Sequence, residues 1–133
     1  MSFLTGIVLA LAVGGFARWV GLDRDRAFYP TVMIVIACLY GLFAVMGGST
    51  HALAAESVGT IGFTLLAVVG FKRDMRWVVV ALAGHGVFDF FHHHLITNPG
   101  VPHFWPEFCM TYDITAAVLL AWILRRTRMA ARS

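Results

Sequence analysis

The chain has 133 residues, 59% of them hydrophobic and only 13% charged, with a mean hydropathy of +0.79. Soluble domains carry about 25% charged residues, so this composition would present an insoluble apolar surface to water, and lipid is its natural solvent. The length suits one domain, residues 1–133, and the net charge of +3 is too small and too scattered to favour a nucleic-acid partner.

A membrane span needs about 20 mostly apolar residues, and the chain offers five such stretches: residues 2–20, 29–47, 52–71, 77–96 and 106–124. None of them alternates polar and apolar positions, so the expected fold is all-α, a bundle of five transmembrane helices rather than a barrel. The first stretch carries an "ALA" at 10–12 that mimics a cleavage site. Residues 1–5 lack the Lys or Arg that a secretory leader carries, and the stretch reads as a retained anchor. Tyr29-Pro30 opens the second helix, where proline costs no internal hydrogen bond. Gly47-Gly48-Ser49-Thr50 marks the turn into the third. The one long connection, "TNPGVPHFWPE" at 97–107, contains three prolines and reads either as a tight hairpin or as a stiff lid over a site beneath it. Pro106-Glu107 then starts the fifth helix.

Charge sets the expected orientation. All ten basic residues fall into three groups, at 18–26, 72–76 and 125–132, after the first, third and fifth spans. The positive-inside rule makes that side cytoplasmic, with the N-terminus outside and the C-terminus inside. Trp19, Trp77 and Trp122 then lie at the inner boundary and Trp105 at the outer one, as interfacial belts require. Cys38 and Cys109 sit on different helices at different heights, unsuited to a disulfide.

The fourth span contains "AGHGVFDFFHHHL", residues 83–95, where four histidines and an aspartate interrupt an apolar run. At about 100° per residue, His85, Asp89 and His92 form one stripe along the helix. His93 flanks that stripe and His94 faces away from it. Counting about 1.5 Å per residue from the inner end, Glu56 on the third helix and Asp113 on the fifth lie at heights between those of His85 and His92. All six histidines and four of the seven acids fall in the middle and outer membrane. A carboxylate at such depth is costly unless it is paired, hydrated or neutralised.

Histidines and carboxylates at one depth suit a divalent metal, zinc or iron before others. His85 and Asp89 at i, i+4 are spaced to chelate from one helix, with His92, Glu56 and Asp113 completing the shell. His93, His103, Glu107 and Tyr112 are candidates for a surrounding shell or lid. Core packing is the plainer reading for Cys109 and for Tyr40. A metal-dependent membrane enzyme is one function such a site would serve. Two other functions fit the same residues: a small proton- or cation-coupled transporter or channel, and an accessory subunit glued by its polar band. Gly14-Gly15, Gly59 and Gly62 suit tight packing within the bundle, with a second copy or with a partner subunit.

The strings "FYPTVMIVIA", "GHGVFDFFH" and "NPGVPHFWPEFCMTYD" resemble those of a group of small bacterial multi-pass membrane proteins of unknown function. The resemblance implies a location in the bacterial cell membrane and no activity. The "HHH" at 92–94 is similar to one histidine box of membrane desaturases and hydroxylases. Those families carry several boxes on the cytoplasmic side, and this chain has one cluster on the opposite side.

Overall fold

The computed structural model describes residues 1–132 as five α-helices: α1 Ser2–Val20, α2 Phe28–Met46, α3 Thr50–Lys72, α4 Arg76–Leu95 and α5 Trp105–Ala130. The first four begin and end within two residues of the expected spans, while α5 runs on past 124 to Ala130. That extension holds Arg125, Arg126 and Arg128, and Arg126 lies over the Trp122 ring at 4.1 Å from its centroid. Local chemistry explains the boundaries. Gly21 ends α1 with φ 90° in the left-handed region that glycine occupies without a Cβ clash. Gly48 takes φ +66° in the turn before α3. Ser49 caps that helix, its side chain accepting from the Ala52 amide at 3.1 Å.

Four of the helices, α1, α2, α3 and α5, are long and apolar enough to cross a membrane. α4 is as long as α2 but is not among them, because it carries the four histidines and Asp89. The outward surface is apolar on several helices: Val8, Val58, Ile61, Leu65 and Val118 are all at least 60% exposed. A helix that is apolar on both its buried and its exposed faces suits the core of a large protein or a membrane span.

Inside the bundle, α4 packs between α3 and α5, α2 lies against α3 and touches α4, and α1 leans on α5. Buried alanines (Ala37, Ala67, Ala81, Ala116 and Ala117) let the backbones approach, as in membrane bundles where small residues line helix contacts. Gly86 is one such point: a Cβ there would meet the Met110 carbonyl at 3.2 Å on α5. Gly14 packs against Leu119, whereas Gly15 and Gly62 face open space on the outside of the bundle. Arg26 donates to the Gly70 carbonyl at 3.3 Å, and Ser2 donates to Glu107 at 2.8 Å. These bonds mark the two ends of the bundle, the first basic and the second holding the long connection.

Candidate metal centre

The buried face of α4 repeats with helical period: Val78, Ala81, Leu82, His85, Gly86, Asp89 and His92. Its polar members are therefore carried into the core by the same pattern that buries the apolar ones. His85, Asp89 and His92 are 1%, 0% and 1% exposed, and the two partner acids, Glu56 on α3 and Asp113 on α5, are 2% and 0%.

These five residues form two adjoining groups. In the first, His85 Nδ1 lies 2.7 Å from Asp113 Oδ2 and 3.4 Å from Asp89 Oδ2. The Asp113 contact is the shorter of the two and is the one at hydrogen-bond distance. Asp89 Oδ1 instead accepts from the Tyr40 hydroxyl at 2.7 Å. Cys109, one turn before Asp113 on α5, places its sulfur 4.0 Å from Asp113 Oδ2. Ligand atoms of His85, Asp89, Cys109 and Asp113 all lie within 4.8 Å of one another, and all four residues are buried.

In the second group, Glu56 Oε1 meets His92 Nε2 at 2.7 Å and accepts from Asn98 Nδ2 at 2.9 Å. The same Asn98 amide donates to the Tyr40 carbonyl at 3.0 Å. The Tyr40 ring stacks on His92, with centroids 4.0 Å apart and planes 12° from parallel. Tyr40 thus joins the groups, its hydroxyl on Asp89 and its ring face on His92.

Among the described residues, Asp89 Oδ2 and Asp113 Oδ1 are buried without a hydrogen-bond partner, as is His92 Nδ1. Buried polar atoms are nearly always partnered, and an unpartnered carboxylate oxygen costs about 1–3 kcal/mol or more. Two such oxygens lie in the four-residue group, whose donor atoms are close enough together to hold a metal ion.

The residues read from sequence as a surrounding shell are divided. His93, His103 and Glu107 are exposed but line one cleft that reaches Asp89. Tyr112 is half-buried and lines a groove with Phe28, Val32 and Ile36. Three further residues have parts in the site. Cys109 and Tyr40 read as core in the sequence, and nothing there singles out Asn98. The signal for Cys109 was its place four residues before Asp113 on one helical face. For Tyr40 and Asn98 no local signal exists, since both act across helices.

Comparison with protein-family profiles, with curated proteins and with solved structures gives no match to this chain. Neither a family nor a bacterial origin is supported by them. Nor is the chain histidine-rich as a whole, with six histidines in 133 residues. The density is local, and it is the geometry of that locality that carries any functional reading.

Proposed function

We propose that the chain is a multi-pass membrane protein that binds one divalent transition-metal ion through His85, Asp89, Cys109 and Asp113. The observation that carries this reading is the mutual 4.8 Å proximity of four buried donors on two helices. A tetrahedral zinc shell with bonds of about 2.0–2.3 Å has donor separations of roughly 3.3–3.8 Å, which small side-chain shifts reach from here. Two carboxylates in an apolar bundle carry a charge that a divalent ion offsets, sparing their desolvation cost. The thiol and imidazole favour zinc or iron over magnesium or calcium. Four protein donors fill a tetrahedral shell and leave no open position, which favours binding over catalysis. Glu56 and His92 stand beside this shell as a hydrogen-bonded pair.

Elemental analysis of tag-free protein, purified without a nickel resin, is the direct test. About one zinc or iron per chain is expected, and Asp89→Asn or Asp113→Asn should lose it. Wild-type protein that carries no stoichiometric metal, and whose melting temperature does not rise with added zinc or iron, would sink the reading.

A proton- or cation-coupled transporter is the second reading, favoured by the Glu56–His92–Asn98 hydrogen-bond chain. Against it, α4 has no acid or histidine between Arg76 and His85 to extend a path to the basic end.

A further inference from the structure

A cleft of about 170 Å³ opens on the bundle surface between α1, α4 and α5, near the end that holds the long connection. Its wall includes Phe3, His93, His103, Glu107 and Met110, and Asp89 closes its inner end. At about 30 Å³ per water molecule, the space holds five or six waters, the size of a partly hydrated cation. Each titratable side chain on this wall is a metal ligand type: two imidazoles and a carboxylate at the rim, and a second carboxylate at the floor. Glu107 is held at the rim by Ser2, which donates to its Oε2 at 2.8 Å. Asp89 is 0% exposed, and its Oδ2 has no hydrogen-bond partner among the described residues. Met110, unbranched and flexible, is the wall residue best suited to swing aside.

Resting on the metal-binding reading above, we propose that this cleft is the entry to the metal centre. A hydrated divalent cation is taken up by Glu107, His93 and His103, loses water in the cleft, and passes to Asp89. From Asp89 it reaches His85, Cys109 and Asp113 without crossing the apolar bundle. Glu56 and His92 are themselves buried, with Asn98 bonded to Glu56 and the Tyr40 ring stacked on His92.

A gateway accelerates loading and release alike and leaves the equilibrium unchanged, whereas a ligand alters affinity. The test uses metal-free, tag-free protein in detergent mixed with cobalt(II), whose absorbance reports loading, followed by release to a chelator. The triple variant His93→Ala, His103→Ala, Glu107→Gln should load at least tenfold more slowly and release correspondingly more slowly. Its final stoichiometry and Kd should match wild type. The single variant Glu107→Gln, which keeps an oxygen for Ser2, should show a smaller slowing in the same sense and guards against misfolding of the triple. Asp25→Asn at the basic end should load like wild type. Wild-type loading rates in the triple variant would overturn the entry route while leaving the metal centre standing. A weakened Kd with faster release would also overturn it, by making these residues ligands. Wild-type protein that takes up no cobalt, zinc or iron would remove both proposals.

Discussion

Asp89 is the most constrained residue in the molecule. Tyr40 donates to one of its oxygens, His85 stands 3.4 Å from the other, and the residue is fully buried. Tyr40→Phe removes the donor and leaves Oδ1 buried and unpaired, at a cost of about 1–3 kcal/mol. The melting temperature of the variant in detergent should fall accordingly, because the phenyl ring still stacks on His92 and little packing changes. An unaltered melting temperature would show that Asp89 is not held as a hydrogen-bonded carboxylate. Cys109 gives a spectroscopic handle on the same group. If its thiolate is a ligand, cobalt(II) protein should show a sulfur-to-cobalt charge-transfer band in the near ultraviolet. Cys109→Ser should lose that band, and a band that persists would remove Cys109 from the shell. Affinity should also weaken as pH falls, since protons compete for the imidazole, the thiolate and the carboxylates, and metal binding must displace them.

At the scale of elements, the connection between α4 and α5 is bolted down rather than draped. Asn98 donates to Glu56 and to the Tyr40 carbonyl, and its own Oδ1 accepts from the Gly100 amide at 3.2 Å. Gly100 lies against the end of α2, where any Cβ would run into the Phe43 carbonyl oxygen. Gly100→Ala should therefore lift the connection, lower the melting temperature, and speed amide exchange across residues 97–101. Exchange unchanged from wild type would mean the contact with α2 is not holding the connection. The stripe His85–Asp89–His92 was legible in the sequence because helical periodicity alone places residues 85, 89 and 92 on one face. The partners were only half legible. Height along the bundle pointed to Glu56 and Asp113, but which acid meets which histidine depends on helix rotation and neighbour order, and no periodicity encodes those. The same gap hid Tyr40, whose hydroxyl reaches Asp89 only because α2 touches α4.

For the molecule as a whole, α4 alone among the five helices falls short of the apolar composition of a membrane span. His93 and His94 in its last turn are exposed, as are Val80, Val87, Phe90 and Phe91, whereas His85, Asp89 and His92 are buried inside the bundle. Intramembrane ionisable residues are tolerated when they face the bundle interior and pair there, and here each of these three has a partner on α2, α3 or α5. α4 can therefore span only in company, inserted as part of the bundle rather than as an isolated hydrophobic segment. With five spans, the ten basic residues all fall on one side; with four, the group at 125–132 would be separated from those at 18–26 and 72–76. The positive-inside rule favours the first arrangement. Reporter fusions at Arg24, Lys72 and Arg128 should all be cytoplasmic, and a reporter in the 97–105 connection should lie outside. A connection found on the same side as Arg128 would reject the five-span arrangement and, with it, an outward-facing entry to Asp89.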